Sequence, residues 1–565
     1  MKNWSTLFVA FVSISPLAVN AAPEKRAASP VVTIANPQAT ILGTSALSVE
    51  TFNDVPFAAP PTGPLRLKPP RPLDEPLGTV DATSLIPKSC PQMYFSLDER
   101  SLPGEVLGTL LNLPLIQEVT RASEDCLYLN VQRPAGTKAG DKLPVLFWIY
   151  GGGFQLGSTQ LYNGASLVKE SVRQGKPVVF VAVNYRVAGF GFMPGAEILA
   201  DGSANLGLLD QRLGLKWVAE NIESFGGDPE KVTIWGESAG AISVAAQMIL
   251  YDGDHTHNGK PLFRGAIMNS GTGVPTDPVD CPKGQAVYNT VVKYAGCDSA
   301  SDTLECLRGL PYQDMLDAVN SVPGLLSYSS VALSYLPRPD GTVLTESPER
   351  LLQKGKYAKV PFIVGDQEDE GTLFALFQSN ITTQRQIVDY FEELFFHNAE
   401  RSTLEELVDT YQTITTDGSP FRTGIFNNWY PQFKRIAAIL GDLTFTITRR
   451  IVLDITHSVN PDVPSWSYLA TYNYGTPIMG TFHGSDILQV FHGIWPNYAA
   501  RTIRGYYFNF VYNLDPNDGD LPHWPRWSEK RQLVEFQAHR VKLMLDNFRQ
   551  DTYEFLTKNI ASFYF

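Results

Sequence analysis

Cysteine is scarce in this 565-residue chain: there are five, at Cys90, Cys126, Cys281, Cys297 and Cys306. None forms a C-x-x-C pair or joins a histidine cluster, which argues against a structural zinc site. Basic residues are in deficit, 45 against 58 acidic ones, for a formal charge of −13. Such a surface repels phosphate backbones and anionic membranes, so nucleic acid is not an expected partner. Beyond the N-terminal leader no apolar run reaches about 18 residues, so no transmembrane anchor is expected. Internal repeats, low-complexity tracts and interdomain linkers are absent too, and the only Pro-rich stretch is Pro56–Pro76. Hydrophobic residues make up 44% and charged residues 18%, a balance that excludes disorder and supports a large core.

The first residues carry an export pattern. Lys2 precedes an apolar stretch from Thr6 to Val19, and small residues end it at Ala21 or Ala22. A dibasic pair, Lys25-Arg26, follows, so two mature starts are open, Ala22 and Ala27. Residues 1–26 read as a signal peptide with a short propeptide, and 27–565 as a single domain. In an oxidising compartment five cysteines give two disulfides and one free thiol, with the pairing open from the residues alone. One sequon past the leader, Asn380-Ile381-Thr382, marks Asn380 for glycosylation, which requires a surface loop.

Short β patterns come first: Val31–Ile34, Ala39–Leu42 and Leu47–Phe52. Fully apolar runs follow at Pro144–Tyr150, Pro177–Tyr185, Val232–Trp235, Phe263–Met268 and Val360–Val364. Helical spacing marks Leu206–Ile222, Ala239–Leu250, Gln384–Phe396 and Phe433–Ile455. Apolar strands alternating with amphipathic helices predict an α/β fold, a large, mostly parallel sheet flanked by helices.

Gly236-Glu237-Ser238-Ala239-Gly240 is a G-x-S-x-G motif between a predicted strand and a predicted helix. That strand–turn–helix context is what a nucleophile elbow needs: a strained turn lifts the Ser238 hydroxyl above the sheet, beside a helix N-terminus. Gly151-Gly152-Gly153-Phe154 directly follows another predicted strand. Backbone N–H groups of Gly152, Gly153 and Ala239 would converge on a developing oxyanion. A serine hydroxyl needs a base, and in this chain order the acid and then the histidine come after it. Downstream histidines near apolar segments are His457, His483, His492 and His523. The acid belongs at a strand's carboxyl end, where Asp366, Glu368, Asp369 and Glu370 are all eligible.

These motifs resemble the type-B carboxylesterase/lipase family. The resemblance rests on GESAG, GGGF, Ser123–Asn130, Asn184-Tyr185-Arg186 and Phe57–Pro61. It runs from about Val31 to the end of the chain, and Gly365–Thr372, Gly418–Phe421, Pro431–Arg435 and Gly480–Asp486 are most similar to the fungal Candida-type lipase/sterol esterase group. It implies an α/β-hydrolase fold, with Ser238 as nucleophile, Glu370 as acid and His483 as base, and no cofactor or metal. It implies the disulfides Cys90–Cys126 and Cys297–Cys306, leaving Cys281 odd, and buried ion pairs Arg66–Glu124 and Arg186–Asp210. One departure is visible: many relatives carry glycine before Pro56, where this chain has Asn53-Asp54-Val55.

The segment from Cys90 to Cys126 is rich in leucine and aromatics, including Met93, Tyr94, Phe95, Leu110 and Leu111. The resembled group uses it as a flap over the active site. Phe154, Ile242, Phe374 and Phe482 match positions near the acyl pocket of that group. The expected substrate is a hydrophobic ester, an acylglycerol or sterol ester, met in solution or at a lipid–water interface. A feruloyl-type or short-chain ester is the alternative. A metallohydrolase built on His255 and His257 is disfavoured because no carboxylate cluster joins them. A non-catalytic adhesion role is disfavoured because the triad residues are present.

Overall fold

The computed structural model describes residues 29–94 and 121–565. The apolar runs become the centre of an eleven-stranded sheet. Numbered along the chain, its strands are β1 (Thr44–Ala46), β2 (Val49–Pro56), β3 (Tyr128–Pro134), β4 (Leu143–Ile149), β5 (Val179–Val183), β6 (Gly227–Glu237), β7 (Gly265–Asn269), β8 (Phe362–Gln367), β9 (Ser465–Ala470), β10 (Gln532–Gln537) and β11 (Arg540–Leu545). Across the sheet they lie in the order β11-β10-β9-β8-β7-β6-β4-β5-β3-β2-β1. Strands β4 to β10 are parallel, and the remaining strands form antiparallel edges.

Parallel strands need crossover connections, which cover both faces of the sheet. Burial at every position of β5 (VFVAV) and β7 (GAIMN) follows from that cover. Trp148 of β4 and Trp235 of β6 are register partners, and their rings meet nearly edge-on, 4.5 Å apart. Helix α1 (Leu206–Asn221) precedes β6, and helix α2 (Ala239–Ile249) follows it after Ser238 alone. A side chain at Gly240 would meet the Ile149 carbonyl at 2.1 Å, so only glycine lets α2 start this close to β4. This is the expected α/β-hydrolase architecture.

Local differences have physical causes. The expected strand Leu47–Phe52 begins only at Val49, because Leu47 and Ser48 form the two-residue turn between β1 and β2. Both have positive φ, 51° and 66°, as a type I′ turn requires, but neither is the Asn or Gly that would signal it. The expected helix Phe433–Ile455 consists of Phe433–Gly441 and Ile447–Val459, joined by a widened π-type turn, Asp442–Thr446. Asp54, in the segment that departs from the family pattern, has φ 59°. Its carboxylate accepts the Lys88 N–H at 2.6 Å and faces Arg121 at 3.1 Å, so aspartate here ties a bulge in β2 to its neighbours.

Both implied disulfides are present, Cys90–Cys126 and Cys297–Cys306. Cys281 is free and buried, and its Sγ accepts the Gly284 N–H at the start of helix Pro282–Tyr294. Both ion pairs form bidentately: Arg66 with Glu124 at 2.6 and 2.7 Å, and Arg186 with Asp210 at 2.8 and 2.7 Å.

Candidate active site

Four loops at the carboxyl ends of neighbouring parallel strands meet at one point. Gly151–Phe154 follows β4, Ser238 follows β6, Glu370 follows β8 and His483 follows β9. Ser238 has φ 59° and ψ −128°, a strained conformation held by its N–H bond to the Asn269 carbonyl at 2.9 Å. Strain of this kind persists only where its surroundings enforce it, and here β7 and the closely packed α2 do so.

The Ser238 hydroxyl lies 2.7 Å from His483 Nε2, and His483 Nδ1 lies 2.5 Å from Glu370 Oε2. A carboxylate can only accept, so Nδ1 carries the proton and Nε2 is left to accept from Ser238. The other Glu370 oxygen accepts the Gln367 N–H at 2.6 Å, which fixes the carboxylate. The three rival acids are occupied elsewhere. Asp366 pairs with Arg449 at 2.8 Å, Glu368 pairs with Arg422, and Asp369 accepts from Ser419, Phe421 and Thr481. Asp369 thereby ties down the loop that carries His483. Of the other histidines, His457 sits 6.5 Å from the Trp527 ring, His492 lies against Phe491, and His523 is exposed. His257 pairs with Glu220, and among the described residues no group of three His, Cys, Asp or Glu could hold a metal.

Gly152 and Gly153 have φ of 115° and 61°. Among the described residues, the N–H groups of Gly152, Gly153 and Ala239 bond no protein acceptor. Gly153 and Ala239 line one pocket together with Ser238.

Sequence reasoning missed Glu237, which is fully buried with Oε1 3.6 Å from His483 Nε2. Burial pushes its carboxyl up to about 8, against the pull of His483. Burial alone would lower His483, but Glu370, Glu237 and Asp486 more than reverse this and raise it to about 9. The only signal for Glu237 in the sequence was its place beside Ser238 in the motif.

The pocket leading from Ser238 is lined by Phe154, Ile242 and Phe374, and also by Leu325, Thr444 and Phe445, which were not foreseen. No charged side chain lines it among the described residues, and besides Ser238 only Thr276 and Thr444 contribute polar side chains. Thr444 and Phe445 come from the π-type turn, and the rings of Phe445 and Phe374 lie 4.6 and 5.0 Å from that of His483. Phe482 is not among the lining residues; its backbone bridges to Asp369 instead. The described base of the Cys90–Cys126 segment rests on the loop after β4, with the Met93 N–H bonded to the Gln155 carbonyl at 3.0 Å. The remainder of the proposed flap, residues 95–120, lies outside the described residues, as do the leader and the dibasic pair. Asn380 is exposed on a turn.

Comparison with known proteins agrees with this fold. The chain is 63% identical to a secreted lipase of Botryotinia fuckeliana over 96% of its own length and 95% of the relative's. It is 60% identical to a secreted triacylglycerol lipase of Gibberella zeae, covering 95% and 92% of the two chains. The crystal structure of Aspergillus niger EstA matches with a TM-score of 0.76 at 28% identity, over 94% of this chain and 99% of that one. The model of the carboxylesterase family matches residues 28–556, and the chain belongs to that family.

Proposed function

We propose that this chain is a secreted serine hydrolase of hydrophobic carboxylic esters, acylglycerols first among them, acting through an acyl-enzyme on Ser238. The carrying observation is the bonded chain Ser238–His483–Glu370 opening directly into an apolar pocket. The names of the relatives, secreted lipase and secreted triacylglycerol lipase, support both the substrate class and the export route. Asn380 is the glycosylation acceptor on that route.

The steps follow from the geometry. His483 Nε2 takes the Ser238 proton as Oγ attacks the ester carbonyl carbon. The oxyanion receives the N–H groups of Gly152, Gly153 and Ala239. Glu370 holds the imidazole in its tautomer and stabilises the imidazolium. His483 then protonates the departing alkoxide, leaving the acyl group on Ser238 in the pocket. Water, deprotonated by His483, reverses the sequence and releases the acid.

An ester series from acetate to palmitate, with cholesteryl oleate, on the purified protein and on Ser238→Ala tests this reading. Long-chain preference that disappears in the variant is expected. Equal hydrolysis by the variant would overturn the role of Ser238, and preference for acetate would overturn the substrate class.

A further inference from the structure

The pocket has a direction. Four of its lining residues, Ala239, Ile242, Ala246 and Ile249, form one stripe along α2, at i, i+3, i+7 and i+10. At 1.5 Å per residue the stripe spans about 15 Å, from Ser238 to the far end of the helix. Leu344 and Pro348 also line the pocket. They belong to the far end, because the Tyr251 N–H, just past α2, bonds the Val343 carbonyl at 2.9 Å. Pro348 opens helix α3 (Pro348–Gln353), which packs against α2.

Phe565, which is only 4% exposed, is another of the lining residues. Its backbone is fixed on both sides. The Phe565 N–H donates to the Pro275 carbonyl at 3.1 Å, and its own main-chain carboxyl oxygen accepts from Arg338 Nη1 at 2.8 Å and from the Asp277 N–H at 3.3 Å. The preceding residue anchors the segment to α3: the Tyr564 hydroxyl donates to Glu349 Oε1 at 2.5 Å and accepts from Arg350 Nε at 2.9 Å. Behind the Phe565 ring stand Phe396 and Phe395, with centroids 5.5 and 5.9 Å away. The apolar interior therefore continues past the ring.

We propose that Phe565 sets the acyl-chain length that the enzyme accepts: its ring is the terminal wall against which the chain end of the substrate stops. This rests on the reading of Ser238 as the acylated residue. Removing the ring lengthens the pocket toward Phe395 and Phe396, and enlarging it shortens the pocket. Loss of ordinary core packing would instead lower stability and leave the chain-length profile in place.

The test is kcat/KM for p-nitrophenyl esters from C4 to C18 in detergent solution, with sites counted by titration with an alkylphosphonate. Phe565→Ala should raise the C16 to C8 ratio about tenfold, and Phe565→Trp should lower it by a similar factor. Opposite shifts are the signature, because general destabilisation leaves the ratio of both variants in place. If either variant is insoluble, Phe565→Leu keeps most of the buried volume and should shift the ratio in the direction of the alanine variant, by a smaller factor. A wild-type ratio in the variants, or shifts of one sign, would overturn the proposal. Ser238→Ala in the same series separates the two failures: if it hydrolyses like wild type, the reading of Ser238 falls, and the chain-length role falls with it.

Discussion

Glu237 Oε1 lies 3.6 Å from His483 Nε2, the nitrogen that faces the Ser238 hydroxyl. As the proposed base, His483 must be neutral to accept that proton, so activity should rise with pH as His483 loses its own. Glu370, Glu237 and Asp486 raise His483 to about 9 against the effect of burial, while burial holds Glu237 near 8. Near pH 9 Glu237 is therefore mostly ionised, and its charge favours the imidazolium. Glu237→Gln removes that charge and lowers the His483 pKa. The rising limb of kcat/KM against pH should then move to lower pH by about 1 pH unit. An unmoved limb would contradict this coupling.

Glu370 is placed to fix a tautomer as well as to supply charge. Glutamine at this position would offer an N–H as readily as a carbonyl and would leave the imidazolium uncompensated. Glu370→Gln should lower kcat by about 10³–10⁴-fold on a soluble ester, with KM changed only a few-fold. A loss smaller than tenfold would assign the role to another carboxylate.

Gly371 links Glu370 to the helix Phe433–Gly441. An added methyl there would meet the Ala437 carbonyl at 1.9 Å, so the helix or the Glu370 loop must move. Gly371→Ala should cost about 1–3 kcal/mol in urea denaturation and lower kcat at unchanged site number. Wild-type kcat per titrated site would show that the Glu370 loop tolerates the shift.

Arg186 and Asp210 form a bidentate pair in which both side chains are almost fully buried. Arg186→Ala leaves Asp210 as an unpaired buried charge and should cost about 3–5 kcal/mol. A loss under about 1 kcal/mol would show that water or another group replaces the guanidinium.

Legibility in the sequence followed the range of the interaction. The elbow at Ser238 and the parallel strands were readable because strand, turn and helix are contiguous there. The oxyanion glycines stood out for the same reason. The acid was not readable from the residues alone: Asp366, Glu368, Asp369 and Glu370 share one strand end, and only Arg449, Arg422 and the Ser419 loop, all distant in sequence, withdraw the first three. Resemblance to a family made that choice, and Glu370 is the carboxylate that bonds His483 Nδ1. Phe482 neighbours His483, but its own backbone bridges to Asp369 and it is not among the pocket-lining residues. Phe445 and Phe565 left no local signal. Each reaches the pocket through a feature that periodicity does not report, a π-type turn in one case and an anchored segment after the last helix in the other.

The central claim is that Ser238 carries the acyl group, and trapping it tests this most directly. The purified protein is treated with a long-chain alkylphosphonate that mimics the tetrahedral intermediate, and intact mass is followed by peptide mapping. One adduct per chain, on Ser238, is predicted, formed in step with the loss of ester hydrolysis and absent from a folded Ser238→Ala variant. An adduct on another residue, or inactivation of the wild type without modification of Ser238, would contradict the account.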